Sequence, residues 1–350
     1  MQHRGYGLQA SARPTGPRNE LTFSIVIANF NYARFVADAI ESALGQTWPH
    51  VEVIVVDDGS SDGSHEVINR YSDQVRVIFQ PNSGQRVANN TGFAASHGDV
   101  VVFLDADDVL DARFAEEVAS VWRSGVSKVQ VQMARVDAQR RPLGYVVPAI
   151  HSSPSPKEVR EWMISTGEYP TPPGSGNAYS RTFLDALFPL GPDCDSFTDS
   201  TCLALAPLLG DVVTIMQPLV EYRMHGSNDS SLSASTDRFG REVARAIKRH
   251  TKAEQVCASQ GLEPPEPGCL RRGRHLLQLR AASRRLAPAS HPAEAGSYLG
   301  IMADGMRSLQ PYGIESLQKR VLVAGWTLAT MTAPRPLARW LVAQRFARSG

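Results

Sequence analysis

Four short runs rich in β-branched residues, LTFSIVIANF, VEVIVVDD, VRVIFQ and DVVVFLDADD, recur in the first 110 residues with helix-forming stretches between them. Apolar on successive residues, runs such as VVVFL suit strands covered on both faces, and the intervening helices must supply the cover. The first helix is expected over 35–44, where Phe35, Val36, Ala39, Ile40, Ala43 and Leu44 fall at helical spacing; SHEVINRYS and about 84–96 supply the next two. Strands alternating with helices imply right-handed crossovers and a mainly parallel α/β sheet. Open sheets of this kind bind ligands beyond the carboxyl ends of their strands. Those ends read Ala28-Asn29, Asp57-Asp58 and Asp105-Ala106-Asp107-Asp108, so three strand ends offer polar groups to one crevice.

Further along, a helix is expected over about 112–126, and KVQVQMARVD alternates like a half-exposed strand. EVREWMIS reads as a helix, followed by the long loop PTPPGSG, a length usually kept for function. A helix then runs from near Asp199 to Leu209, and DVVTIMQPLVEYRMHG reads as a strand passing into a turn. After about residue 233 the pattern changes to Arg- and Ala-rich helical segments, three or four of them, packed on or beside the α/β body.

With 350 residues, 42% of them hydrophobic and 20% charged, the chain can bury a large core without disulfide or metal staples. This composition excludes disordered and collagenous classes. Thirty-six basic and thirty-five acidic residues argue against a nucleic-acid binder held by phosphate neutralisation. Charge is unevenly placed: residues 1–233 hold 17 basic against 27 acidic side chains, and 234–350 hold 19 against 8. Cys194, Cys202, Cys257 and Cys269 lack metal-knuckle spacing, which favours free thiols in a reducing compartment, so a cytoplasmic location is expected. The first twenty residues lack the apolar middle of a secretory signal and read as a disordered lead-in.

Asp105, Asp107 and Asp108, directly after a buried strand, repel one another unless something neutralises them. A divalent cation is one answer, since Mg²⁺ or Mn²⁺ combines one or two carboxylates with phosphate oxygens and water. A helix start is the other, because Asp is a good N-cap. The cluster alone leaves both open.

The ordered set SIVIANFNYARFVADAIESALGQTW, VEVIVVDDGSSDGS, Asn82-Ser83-Gly84, Ala88-Asn89-Asn90-Thr91-Gly92 and GDVVVFLDADD closely resembles the family 2 glycosyltransferases, nucleotide-sugar-dependent enzymes of the GT-A fold. The resemblance is dense over about 22–125 and continues more thinly through GNAYSR, FTDSTCLALAPLLGDV and PLVEYRMHGSN to about 230. It implies a GT-A domain over 21–232, with a nucleotide-binding half at 21–111 and an acceptor half at 112–232, followed by a basic helical region at 233–350.

Carried over by position, the resemblance implies that Ala28, Asn29 and Asn31 border the nucleotide and that Asp58 bonds the base, commonly uracil. Asn82, Gly84 and Asn90 would shape the donor pocket, and Asp105, with Ala106 beside it, would face the ribose or the surroundings of the metal. Asp107 would bind Mn²⁺ or Mg²⁺, joined by His225, with Asp108 supporting and Arg223 on the diphosphate. Asp199 takes the place of the catalytic base, although it follows Thr198 where the family usually has Glu. The implied reaction is inverting transfer of a sugar from a nucleoside-diphosphate donor, commonly UDP-linked, to an acceptor hydroxyl; Pro336, standing before Arg339-Trp340 where polymerising synthases carry the Gln of Q-x-x-R-W, favours single transfer over polymerisation. The acceptor is a saccharide, lipid-linked or other hydroxyl compound, in cell-surface glycan, glycolipid or polysaccharide biosynthesis.

Plainer readings stand beside these. Asp58 could cap the GSSDGS turn, Asp199 could be a helix N-cap, and Trp48, Trp122 and Trp162 are better packing residues than sugar platforms. GSSDG also fits the G-x-S-x-G elbow of a serine hydrolase, with Ser61 as nucleophile. A non-catalytic sugar-nucleotide-binding protein is a further alternative. In the last third, Trp326, Leu328, Trp340, Leu341, Val342 and Phe346 lie among Lys319, Arg320, Arg335, Arg339, Arg345 and Arg348, as a helix on an anionic membrane surface would have them. Docking of the same apolar residues on protein is the alternative.

Overall fold

The computed structural model describes residues 20–195, 198–225, 237–312 and 315–346, without the side chains of 198 and 199. The expected lead-in and the stretch after His225 lie outside the described residues. In chain order the elements are β1 (Phe23–Asn29), α1 (Val36–Leu44), β2 (Val51–Asp57), α2 (Ser64–Asn69), β3 (Arg76–Phe79), α3 (Gln85–Ala95), β4 (Val100–Asp105), β5 (Val109–Leu110), α4 (Phe114–Val121), β6 (Val126–Asp137) and β7 (Pro142–Val147). Then come α5 (Pro156–Thr166), β8 (Asn177–Ser180), α6 (Arg181–Asp185), α7 (Thr198–Leu209), β9 (Asp211–Met224), α8 (Asp237–Gln260), α9 (Arg274–Leu286), α10 (Tyr298–Arg307), α11 (Leu317–Thr332) and α12 (Arg335–Phe346).

The four apolar runs pair in parallel in the order β3-β2-β1-β4, and the sheet continues through β8, β6, β9 and β5, with β7 on β6. β8 runs antiparallel to β4 and β6, whereas β6 and β9 run parallel, so the sheet is mixed beyond β4. The chain adds β2 and β3 on one side of β1 and then returns to place β4 on the other. That reversal is the switch point of an open α/β sheet, where a crevice opens past the strand ends. Register sets the rim: Asn29 is level with Asp57, and Ala28 with Asp105.

Helices cover the sheet as the spacing predicts. Val36, Ala39, Ile40 and Ala43 turn the buried stripe of α1 onto the core with Ile25, Ile27, Val53 and Val102. α3 lies so close to β1 that a Cβ at Gly92 would collide with Val26 Cγ1. Trp48 packs edge-on against Phe23 and donates its indole N–H to Leu21 O at 2.7 Å, a packing role.

β6 departs from the half-exposed expectation. Its alternation is real, but both faces are covered: Val129, Val131 and Met133 join the core, and Lys128, Gln130 and Gln132 are buried too. Lys128 Nζ reaches Gln130 Oε1, Thr171 Oγ1 and Asn177 Oδ1, each at 2.9 Å, and Gln130 Nε2 donates to Pro170 O and Thr214 Oγ1 at 3.0 Å. Buried polar groups persist only with such partners.

The chain divides into two compact units, residues up to 157 with 170–225, and 158–169 with the residues after 225. The stretch 158–169, which the sequence reading keeps inside 21–232, joins the helical unit for an identifiable reason. Glu168 accepts the backbone N–H groups of His275 and Leu276 in the first turn of α9, and Arg272 donates to Ser165 O. Five α-helices follow residue 236 among the described residues, rather than three or four. They enclose Phe239, Val243, Leu279, Val342 and Phe346 in one cluster and Leu277, Ile301, Val323 and Met331 in another. All four cysteines are buried and none is in a disulfide. No described helix is long and apolar enough to cross a membrane.

Candidate active site

The rim at the switch point is built first from loops. Asp57 at the end of β2 accepts the Ser60 N–H (2.9 Å), Asn29 Nδ2 (2.7 Å) and His65 Nε2 (2.9 Å). Burial alone would raise the Asp57 pKa, but these bonds, with the Ser60 hydroxyl, outweigh it and hold the carboxyl below its ordinary range. Asn31, with φ of 58°, accepts the Ser61 N–H at 2.8 Å and thereby clips the β1–α1 loop to the GSSDG turn. Asp62 completes that turn by accepting from Ser64.

Asp58 does not cap GSSDGS. Its Oδ1 accepts from Gln80 Nε2 (2.7 Å) and the Ser83 N–H (2.9 Å), and its Oδ2 accepts the Gly84 N–H (2.7 Å). The carboxylate therefore shapes the 82–84 loop, whose Asn82 and Gly84 stand exposed at the rim. Gly59, at φ of +78°, lets this loop approach: a Cβ there would lie 2.7 Å from Asn82 N.

The acidic cluster follows β4. Asp105 Oδ1 accepts from Gln85 Nε2 at 2.9 Å, and its N–H donates to Ser175 Oγ at 3.1 Å. Neither Gln85 nor Ser175 was among the residues singled out from sequence. Ser175 lies in PTPPGSG, a loop whose length alone marked it. Asp108 is fully buried, accepting the Arg223 N–H at 3.1 Å. Burial, then the neighbouring Asp107 and Asp105 carboxylates, push its pKa well above the ordinary range.

Asp107 and His225 meet although 118 positions separate them. After the Asp107-Asp108 turn, β5 pairs antiparallel with β9, Val109 opposite Glu221, so the end of β9 returns to the cluster. His225 Nε2 lies 2.9 Å from Asp107 Oδ2, and the imidazole stacks on Phe35 with ring centroids 4.8 Å apart. Tyr32 closes edge-on at 5.6 Å.

Several residues expected on the donor support the rim from beneath. Asn29 is 1% exposed, bound to Asp57 and Ser60 Oγ. Arg223 is 3% exposed: its Nη2 donates to Asp38 Oδ2 (2.6 Å), its Nε donates to Asp107 O (2.8 Å), and its guanidinium lies 4.7 Å from the Phe35 centroid. These bonds tie the Asp107 backbone to Asp38 on α1 through one guanidinium. Asn90 pairs its amide with both backbone groups of Leu190, at 2.9 and 3.0 Å, and so braces the 187–190 chain. Ala106 is buried in the turn between Asp105 and Asp107. Asp199 occupies the second position of α7, inside the helix rather than before it, and its side chain lies outside the described residues.

Two protein ligands with open positions suit a cation that also takes phosphate oxygens. Asp107 and His225 are two such residues, beside Asp105, and among the described residues no group of three or more His, Cys, Asp or Glu forms a metal cage by itself. The residues fit a divalent ion completed by a substrate. The hydrolase reading fares worse. The hydroxyl of Ser61 lies 3.5 Å from Asn31 Oδ1, and the histidine of that turn, His65, bonds Asp57.

Comparison with known proteins agrees with the geometry. Residues 24–188 match the model of glycosyl transferase family 2. An uncharacterized glycosyltransferase of Nostoc sp. is 35% identical over 225 residues, 61% of this chain and 68% of that protein. The chain belongs to glycosyl transferase family 2. Glycosyltransferase GlyG of Streptococcus pneumoniae shares 32% identity over 97 residues, 27% of this chain and 32% of its own length. Among solved structures, S. aureus TarS 1–349 in complex with UDP-GlcNAc superposes with a TM-score of 0.50 at 16% identity, covering 89% of this chain and 90% of that one. The fold is thus the GT-A type of this family, and the protein is a glycosyltransferase.

Proposed function

We propose that this glycosyltransferase moves a sugar from a nucleoside diphosphate, UDP-linked by preference, to an acceptor hydroxyl, with inversion at the anomeric carbon and dependence on Mn²⁺ or Mg²⁺. One observation carries the reading: the Asp107 carboxylate and the His225 imidazole converge within 2.9 Å at the carboxyl rim of the sheet, next to Asp105. TarS holds UDP-GlcNAc on the same fold, which supports a nucleotide-sugar donor.

In this reading Asp107 and His225 hold the ion, and Arg223, Asp108 and Phe35 fix their positions. When bound, such an ion would supply positive charge for the diphosphate leaving group, where negative charge grows as the glycosidic bond breaks. Asp105, oriented by Gln85 and Ser175, faces the ribose side. Ala28, Asn31, Asn82 and Gly84 line the nucleotide crevice, whose walls Asp57 and Asp58 hold in shape. Asp199 takes the proton of the acceptor hydroxyl, and attack from the face opposite the leaving group inverts the centre. Proton removal of this kind contributes about 10²–10⁴ in rate.

A thermal-shift screen of UDP- and GDP-sugars, with and without Mn²⁺, tests the reading. Stabilisation by one nucleotide sugar that needs the metal supports it. No response to any nucleotide sugar, with metal present, overturns it.

A further inference from the structure

The helical unit ends in α11 and α12, whose inner faces are well used: Val323, Ala324, Thr327, Thr330 and Met331 on one, and Ala338, Val342 and Phe346 on the other, are buried. Trp326 Nε1 donates to Leu341 O at 3.1 Å and fastens the two helices together. Their outer faces are not polar. Leu317, Val321 and Leu322 on α11 and Leu337 and Trp340 on α12 are exposed, Leu322 by 64% and Trp340 by 57%. On α11 the buried residues leave Val321 and Leu322 on the opposite side, with Leu317 at its first position, and on α12 Leu337 and Trp340 stand one turn apart. Large apolar side chains gathered on neighbouring helices mark an interaction surface.

Charge selects the occupant. Between residues 298 and 346 there are six basic side chains, Arg307, Lys319, Arg320, Arg335, Arg339 and Arg345, and two acidic ones, Asp304 and Glu315. Both acids are buried among basic partners, Asp304 between Arg280 and Arg307 and Glu315 between Arg274 and Lys319. The remaining outward charge is positive: Arg335 at the start of α12 and Arg339, next to Trp340, are exposed and have no acidic neighbour on that helix. A second copy of the chain would bring the same positive face against this one, whereas an anionic bilayer offers hydrocarbon and negative headgroups together.

We propose that the outer face of α11 and α12 docks on an anionic lipid surface, with Leu317, Val321, Leu322, Leu337 and Trp340 entering the headgroup boundary and Arg335 and Arg339 on lipid phosphates. Indole rings favour that boundary, and basic side chains near it add electrostatic attraction. None of these residues belongs to the catalytic rim, so the proposal stands apart from the glycosyl-transfer reading.

Sedimentation of the full chain with phosphatidylglycerol vesicles, against phosphatidylcholine vesicles, tests it. The expected result is at least about tenfold stronger binding to the anionic vesicles, reduced about tenfold or more in Arg335→Gln/Arg339→Gln. Leu322→Glu/Trp340→Glu, both at exposed positions, should abolish it while the circular dichroism spectrum is unchanged. The proposal is overturned by absence of binding to anionic vesicles, by equal binding to neutral ones, or by unchanged binding of the double-Glu variant. It is equally overturned if light scattering shows a wild-type dimer that the double-Glu variant converts to monomer.

Discussion

The imidazole of His225 lies 4.8 Å from the ring of Phe35, centroid to centroid, tilted by 28°, with Nε2 turned to Asp107. The same phenyl ring carries the Arg223 guanidinium at 4.7 Å, so one side chain just before the first helix backs Arg223 near the end of β9 and His225 just beyond it. Phe35→Ala removes that backing. Partners that orient metal ligands typically cost 10–100-fold when lost. The expected result is a fall of about that size in kcat/KM, together with weaker Mn²⁺ binding by electron paramagnetic resonance titration.

Asp107→Asn should lower kcat/KM by about 10²–10³, the scale for losing one electrostatic stabiliser of a developing charge. Because Asp105, Asp107 and Asp108 crowd one another, removing a charge should leave the melting temperature unchanged or raise it. Steady-state kinetics and calorimetry on one preparation check both halves, and a large fall in melting temperature would assign Asp107 to folding instead.

Asp199→Asn tests the base. Transfer should drop by about 10²–10⁴, with the affinity for the nucleotide sugar, measured by isothermal calorimetry, unchanged. Equal loss of binding and turnover would remove Asp199 from the acceptor side.

Asp57 predicts a pH dependence. Its folded-state pKa is depressed, so its ionised form stabilises the fold at pH above the ordinary carboxylate value near 3.9. That stability is lost as the pH falls through the depressed value. Asp57→Asn should therefore melt lower than wild type at neutral pH, and the gap should close on acidification. A constant gap from neutral to acid pH would contradict the assignment.

Gly92 tests the α3–β1 contact. Gly92→Ala places a methyl against Val26 Cγ1, and overpacking of this kind typically costs about 1–3 kcal/mol. Urea denaturation should show a lower midpoint with an unchanged slope.

The first half of the sheet was legible because period and composition act locally: FSIVIAN, VEVIVVD and VVVFLD are short, rich in β-branched residues and apolar on successive residues, as strands covered on both faces are. Their polar ends, Asn29, Asp57 and Asp105, followed from where each run stops. The roles of those ends were not legible, because they depend on partners. Asp58 accepts from Gln80, Ser83 and Gly84, and Arg223 donates to Asp38 and Asp107, none of which is near in sequence. KVQVQ read as half-exposed because alternation reports which residues share a face, while burial of that face depends on what packs over it.

The order of residues alone determined the α/β class, the strand ends that make the rim and the carboxylate turn that follows β4, since backbone geometry and apolar spacing are local constraints. Tertiary structure decided that His225 reaches Asp107, that Gln85 and Ser175 orient Asp105, and that 158–169 joins the helical unit. Those contacts arise from β5 pairing with β9, from α3 and the 170–176 loop meeting the end of β4, and from Glu168 capping α9. Pairings between distant segments are set by register and packing, which no local pattern encodes.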